Sequence, residues 1–268
     1  LRGSLLPADE WAVAIVGTRR VSVYGRQTTE DLAGELARAQ VTIVSGLARG
    51  TDATAHRSAL RAGGRTIAVL GSGIDRIYPP ENRALAEDIA ESGAIITDYP
   101  PGTAPESTNF PPRNRIISGL SRCVIVIEAG ETSGALITAT FAANQGRDVL
   151  ALPGNINSPN SKGTNRLIQQ GARPLLSAQD VFETLNFEQV NTQRIARKIL
   201  PADDTEAKII QILGESTLQL DELSFLSGFP VDRVSATLAL MELKGMVRNA
   251  GGMSFSVIHE DSTTYWTD

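Results

Sequence analysis

The sequence predicts an α/β protein, a doubly wound, mostly parallel sheet over residues 1–185, followed by a linker over 186–203 and a small winged-helix-like domain over 204–268. Short apolar, β-branched runs alternate with amphipathic helical patterns through the first part, the signature of repeated βαβ units. Glycines punctuate the ends of the helical patterns at Gly63, Gly64, Gly93, Gly146 and Gly171, where C-terminal caps need them. After residue 203 the order changes to successive helical patterns and a terminal hairpin around Gly251-Gly252, the order of a winged helix.

The strands are expected at Ala12–Gly17, Val41–Leu47, Thr66–Gly71, Ala94–Asp98, Val124–Glu128 and Val149–Leu152. Each is apolar throughout, so each is expected to be buried on both faces. The helices between them are expected at Arg26–Ala39, Ala53–Ala62, Asn82–Glu91, Arg113–Leu120, Gly134–Asn144 and Thr164–Gln170. Beyond the polar stretch that holds Asn191-Thr192-Gln193 and Pro201, helices are expected at Glu206–Leu213, Leu220–Ser227 and Val231–Lys244. In a doubly wound sheet, ligands bind beyond the carboxyl ends of the strands, near the switch in strand order.

Composition narrows the function classes. Hydrophobic residues make up 41% and charged residues 21% of 268 residues, as in ordinary globular domains. No apolar run approaches the roughly 18 residues of a membrane span, and no secretory signal pattern follows Arg2. A cytoplasmic protein is expected, with Cys123 alone ruling out an internal disulfide. The sequence opens on Leu1, not Met, so a piece of a longer protein is expected. The net charge of −5 opposes nucleic-acid binding at first sight. However, residues 1–185 carry 17 Arg and one Lys against 18 acidic residues and are neutral, so the excess negative charge lies after residue 185. A local basic face in the first part therefore remains open.

The expected strand ends carry the chemistry. The first runs into Gly17-Thr18-Arg19-Arg20, with a helix after Gly25. A glycine turn before a helix start presents free N–H groups and a positive dipole end, and the arginine fork suits phosphate. On this segment alone, a phosphate cradle and a merely solvated loop stand equal. The segment lacks the G-x-G-x-x-G pattern, so dinucleotide binding loses support. The second strand runs into Ser45-Gly46-Leu47-Ala48-Arg49-Gly50-Thr51-Asp52, with Asp52 expected as a helix N-cap. The third runs into Gly71-Ser72-Gly73. Three such turns on one sheet edge are far more specific than one.

The sharpest local feature is Asn109-Phe110-Pro111-Pro112-Arg113-Asn114-Arg115. With a helix starting at Arg113, two cations stand in its first turn against the dipole, which calls for an anionic partner or an internal carboxylate. Phe110 could stack on a base or belong to the core. At least one of Arg113 and Arg115 is expected to be structural, paired with Glu128 or Asp98. Glu128 ends an apolar strand and is expected to pair with an arginine. Lys162-Gly163-Thr164-Asn165 is expected to cap the following helix. The catalytic inventory is thin: His56 is expected on a helix in a packed or surface role, His259 lies near the end, and Cys123 reads as a small hydrophobe. There is no metal-ligand spacing and no G-x-x-x-x-G-K-[ST] loop, so no cofactor, metal or ATP hydrolysis is expected.

Together, Ala14-Ile15-Val16-Gly17-Thr18-Arg19, Ser45-Gly46-Leu47-Ala48-Arg49-Gly50, Gly71-Ser72-Gly73 with Tyr78-Pro79, the Phe110–Ser121 segment, Ser133–Thr138 and Pro153-Gly154 resemble the DprA/Smf family of DNA-processing proteins. The resemblance spans nearly the whole chain. It implies an extended Rossmann-type fold that binds single-stranded DNA, dimerises through that domain and loads the RecA recombinase in natural transformation. Carried over, the DNA site is Gly17, Thr18, Arg19, Arg20, Ser45, Gly46, Arg49, Gly71, Ser72, Gly73, Asn109, Phe110, Arg113, Asn114 and Arg115. The chain departs from the pattern twice. The helical N-terminal domain of many relatives is expected to be absent, and Pro80-Glu81 stands where several relatives carry a basic residue.

A binder without catalysis is thus the leading expectation. A nucleotide-processing enzyme of the phosphoribohydrolase type is the alternative, weakened because Glu128-Ala129-Gly130-Glu131-Thr132-Ser133-Gly134 replaces the Pro-Gly-Gly-x-Gly-Thr segment such enzymes need. A third possibility makes the C-terminal module a reader of duplex DNA. Its expected recognition helix carries Asp232 and Glu242 beside Arg233 and Lys244, so a protein-contact or regulatory role is expected instead.

Overall fold

The computed structural model describes residues 1–185, 203–214, 216–243 and 246–257. These fall into two compact units, one within Leu1–Phe187 and one within Glu188–Asp268. The expected linker, Asp203 apart, lies outside the described residues, as do Lys244 and His259.

The first unit is built on one eight-stranded sheet. Its strands are β1 (Arg2–Gly3), β2 (Val13–Val16), β3 (Ile43–Ser45), β4 (Thr66–Val69), β5 (Ala94–Ile96), β6 (Cys123–Val126), β7 (Asp148–Ala151) and β8 (Arg173–Pro174). They lie in the order β1-β5-β4-β3-β2-β6-β7-β8. Every pairing is parallel except that of β1 with β5. The chain winds outward from β2 through β3 to β5, then returns to pair β6 on the other flank of β2. The order therefore switches beside β2, and a crevice opens beyond its carboxyl end.

Alternation along β2 explains the double burial. Val13 and Ile15 join the core that includes Leu32, Leu36 and Val181, while Ala14 and Val16 join the core that includes Ile117 and Ala139. The helices on the two faces are α1 (Val23–Arg38), α2 (Thr51–Arg61), α3 (Arg83–Ser92), α4 (Phe110–Gly119), α5 (Gly134–Asn144), α6 (Lys162–Gln169) and α7 (Ala178–Thr184).

Four helices of this unit, α1, α2, α4 and α6, start earlier than their sequence pattern. α1 begins at Val23, three residues before Arg26, because the Ser22 hydroxyl caps it by accepting from Gly25 N at 3.0 Å. Gly25 stays inside the first turn because Glu128 lies against it; a Cβ there would meet Glu128 Cδ at 2.7 Å. α4 begins at Phe110, so its prolines occupy the second and third positions, where a helix tolerates them. Arg113 and Arg115 thus stand beyond the first turn, and the expected conflict with the dipole does not arise. α6 begins at Lys162, so the expected capping loop is itself helical. α2 also corrects an expectation: Gly50 is its N-cap residue and Asp52 stands inside the helix.

The second unit contains α8 (Asp204–Leu213), β9 (Leu218–Gln219), α9 (Leu220–Ser227), α10 (Val231–Leu243), β10 (Val247–Gly251) and β11 (Ser254–Val257). The Asp203 carboxylate caps α8 by accepting from Thr205 N and Glu206 N, both at 2.8 Å. The strands form a three-stranded sheet in the order β10-β11-β9, with Leu213, Leu223, Leu238 and Phe255 in the core beneath it. On α10, Arg233 lies 4.7 Å from the Phe229 ring centroid and donates to Thr205 Oγ1 at 2.7 Å. That guanidinium is held inside its own unit.

Candidate nucleic-acid interface

Beyond the carboxyl ends of β2 and β6 lies an open cleft of about 790 Å³. One wall is the loop Gly17-Thr18-Arg19-Arg20 that leaves β2. This loop is keyed to the start of α2. Thr51 N donates to Thr18 O at 3.2 Å, and Gly50, at φ 72°, approaches so closely that a Cβ would sit 2.5 Å from Thr18 O. Gly17 in turn leaves room for Thr51, whose Oγ1 would be 2.5 Å from a Cβ at Gly17. Arg19 and Arg20 are exposed, and among the described residues neither makes an ion pair.

The opposite wall comes from α4 and the start of α5. Phe110 is half-buried and seated on Gly71, where a Cβ would meet the ring at 2.7 Å. Its ring lies 5.8 Å from that of Tyr78, tilted by 32°. The Arg19 guanidinium lies 5.6 Å from the Phe110 centroid, within cation–π range. Asn114 faces the cleft, accepting from Arg113 Nε at 3.2 Å and donating to Gly134 O at 3.4 Å. A small recess continues past Phe110 to Gly46, Arg49 and Pro79.

Arg113 forms the floor and is 5% exposed. Its Nη1 donates to Gly46 O at 3.0 Å and also to Val69 O, tying the ends of β3 and β4 to α4. Asp52 lies at the same glycine and accepts from Gly46 N at 3.1 Å and Ala48 N at 3.3 Å. Burial lowers the Arg113 pKa to about 10, with Asp52 opposing the fall, so the guanidinium is charged at neutral pH. Burial raises the Asp52 carboxyl above its ordinary value, against the pull of Arg113 and the two loop amides.

The other expected site residues stand off the cleft wall. Ser45 is fully buried and donates to Ile15 O at 2.6 Å. Ser72 is buried and donates to Arg76 O at 2.6 Å. Gly73 is packed against Asp75 and Pro100. Asn109 donates to Ala104 O at 3.3 Å, and its carbonyl accepts from Tyr99 Oη at 3.1 Å. Arg115 points away to Asp98, at 2.7 Å. These residues shape the rim from behind.

Sequence reasoning left out of the site Tyr78, Thr132, Ser133, Gly134 and Asn160, all of which line the cleft. The Glu128–Thr138 turn was legible as an element of the same edge. Asn160 carries no such signal; it is tied to the site by distant contacts, donating to Arg20 O at 3.2 Å and to Glu128 Oε2 at 3.5 Å and accepting from Ala129 N at 2.8 Å.

Glu128 corrects an expectation. Among the described residues it pairs with no arginine; its buried carboxylate accepts from Ser22 N at 2.9 Å and Ser22 Oγ at 2.6 Å, beneath the start of α1. His56 is fully buried, with Nδ1 2.6 Å from Thr66 Oγ1. Among the described residues no helix is long and apolar enough to cross a membrane.

Comparison with known proteins places this geometry. The family model for DNA recombination-mediator protein A matches residues 1–186, and that for the DprA winged helix domain matches residues 193–253. Protein Smf of Synechocystis is 40% identical over 275 residues, covering 91% of this chain and 69% of its own. The X-ray structure of DNA processing protein A from Streptococcus pneumoniae superposes with a TM-score of 0.65 at 44% identity, covering 68% of this chain and 64% of its own. A structure of DNA processing protein A from Helicobacter pylori, which addresses that protein's single-stranded DNA binding mode, has a TM-score of 0.64 at 34% identity and covers 70% of this chain and 86% of its own. The chain thus spans about two thirds of the length of the first two relatives. With its sheet matched end to end by one family model and its second unit by the companion winged-helix model, the chain belongs to the DNA recombination-mediator protein A family, DprA/Smf.

Proposed function

We propose that the cleft beyond β2 and β6 binds single-stranded DNA, and that the protein protects incoming strands and hands them to the RecA recombinase. The observation that carries this reading is the meeting, in one open cleft, of two guanidiniums that make no ion pair among the described residues, Arg19 and Arg20, with the Phe110–Tyr78 ring pair. The arginines answer phosphates, and an aromatic face answers an unstacked base, a contact of about 1–3 kcal/mol. The direct contacts are assigned to Gly17, Thr18, Arg19, Arg20, Gly46, Arg49, Phe110 and Asn114. Ser45, Gly71, Ser72, Gly73, Asn109, Arg113 and Arg115 hold these in place. The single-stranded DNA binding studied in the Helicobacter pylori relative supports the same reading.

Homodimerisation through the first unit, a cytoplasmic location and a part in natural transformation belong to the same proposal, supported by the family. No chemical step is assigned to the cleft, because the carboxylate a phosphoribohydrolase would use, Glu128, is committed to Ser22.

The test is an anisotropy titration with single-stranded and duplex oligonucleotides across a salt series. Single strands are expected to bind more tightly, with affinity falling steeply as salt rises. Arg19→Ala is expected to weaken binding roughly tenfold, the loss of one charge-assisted contact, and to flatten the salt slope by about 0.7. Equal affinity for duplex, or an unchanged Arg19→Ala, refutes the assignment.

A further inference from the structure

The arginines of the rim are not equivalent. Among the described residues Arg19 and Arg20 make no ion pair, whereas the Arg49 Nε donates to Glu81 Oε1. The carboxylate is brought there by a rigid segment. Glu81 is the middle residue of a 3-10 turn, Pro80–Asn82, that follows Tyr78-Pro79. Asn82 is buried and pins the turn from below, donating to Leu47 O at 2.9 Å while its Oδ1 accepts from Arg57 at 3.2 Å. Leu47 belongs to the same loop as Arg49. The carboxylate and the guanidinium are therefore held on facing elements of the recess that Arg49 lines with Tyr78, Pro79 and Phe110.

We infer that Glu81 is a built-in competitor for the nucleic-acid phosphate, occupying Arg49 until a strand displaces it. A carboxylate and a phosphodiester oxygen ask the same thing of a guanidinium, so only one can take its Nε–H at a time. The effect is to weaken capture at this one contact while Arg19 and Arg20 remain available. A strand that reaches only those two arginines pays no such penalty, so the competitor discriminates against ligands that extend to Arg49. Both partners are well exposed, so the pair is a weak latch that a strand can open. The hydrogen bond between them also accounts for the titration of both groups: it raises the Arg49 pKa and lowers that of Glu81.

This inference rests on the reading of the cleft as a single-strand site, and its test separates the two. Oligonucleotide affinity is measured by anisotropy across a salt series for the unaltered chain, Glu81→Gln, Arg49→Ala and the double variant. Glu81→Gln is expected to tighten binding roughly two- to fivefold, the range of one exposed ion pair, and to steepen the salt slope by up to about 0.7, one added phosphate contact. In the Arg49→Ala background the same change is expected to do nothing. If the unaltered chain binds and Glu81→Gln binds no better, Glu81 is no competitor. If the gain persists without Arg49, Glu81 acts by general repulsion and the latch is refuted. If none of the four proteins binds single strands, the reading of the cleft itself falls, and this inference with it. Both side chains are exposed, and thermal melts of the four proteins are expected to coincide within a few degrees.

Discussion

His56 makes the first unit sensitive to mild acid. It is fully buried on α2, and its Nδ1 faces Thr66 Oγ1 at 2.6 Å. The Thr66 hydroxyl spends its single proton on Ile43 O, at 2.7 Å. Thr66 must therefore accept from Nδ1–H, which leaves Nε2 as a bare lone pair, and that atom is buried with no hydrogen-bond partner among the described residues. Charging the ring would place a proton on Nε2 with nothing to receive it. Burial first, then the charges of Arg113 and Arg57, lower the His56 pKa to about 3 from an ordinary 6.5. The sign follows: below pH 6.5 the unfolded chain takes up a proton that the folded chain refuses. Stability is complete above that pH and falls as the pH is lowered, until the folded ring itself titrates. Between pH 7 and pH 5 the loss from this one group is about 2 kcal/mol, from roughly 1.4 kcal/mol per pH unit below the unfolded pKa. Urea unfolding at the two pH values, for the unaltered chain and for His56→Leu, isolates it from the carboxylates. The difference between the two stability losses should be about 2 kcal/mol. By NMR, one of the two imidazoles should remain neutral at pH 5. Equal pH dependence in both proteins, or two imidazoles that both titrate near 6.5, refutes the argument.

Arg113→Met leaves Gly46 O and Val69 O without their donor and Asp52 without its neighbouring charge; stability should fall by about 3–5 kcal/mol in urea unfolding. Gly71→Ala drives a methyl into the Phe110 ring; an overpacking cost of about 1–3 kcal/mol is expected, with weaker oligonucleotide binding but an unchanged salt slope. Arg115→Ala breaks only the exposed pair with Asp98; stability should shift by less than about 1 kcal/mol, and oligonucleotide affinity by less than in Arg19→Ala. Asp9 is buried: burial raises its carboxyl, but hydrogen bonds from Arg65, Leu6 N and Thr42 outweigh that and hold it below its ordinary 3.8. Its stabilisation is present above pH 3.8 and lost as the pH falls through the lower folded value, so Asp9→Asn should unfold with a flatter response to strong acid.

The sheet was legible because its strands advertise themselves locally. Four apolar residues in a row, as in Cys123–Val126, need no partner to be recognised. The glycine turns at the strand ends were legible for the same reason, and they place Gly17, Gly46 and Gly71 around one cleft. What escaped was anything set by a distant contact. Glu128 looked like the partner of an arginine, yet it is satisfied by the start of a helix 106 residues earlier. Arg113 looked like a first-turn cation because the two prolines before it read as a stop. Once α4 starts at Phe110, the same side chain turns inward and becomes the floor. A helix start displaced by three residues is a small error in sequence and a large one in direction, because each residue turns the helix by about 100°. Asn160 reaches the cleft only through the winding of the sheet.

The interlock of Gly17 and Gly50 with Thr18 and Thr51 bears on how this protein can change. The loop that carries Arg19 and the first turn of α2 fit like key and ward, so neither can be recast alone. Substituting any side chain for either glycine, or a bulkier one for Thr51, would spring the loop and move both arginines together. Redesign of ligand preference is therefore easier on the opposite wall, at Asn114 or Thr132, where the backbone is not so confined. A transplant of the loop to another scaffold must carry the beginning of the neighbouring helix as well.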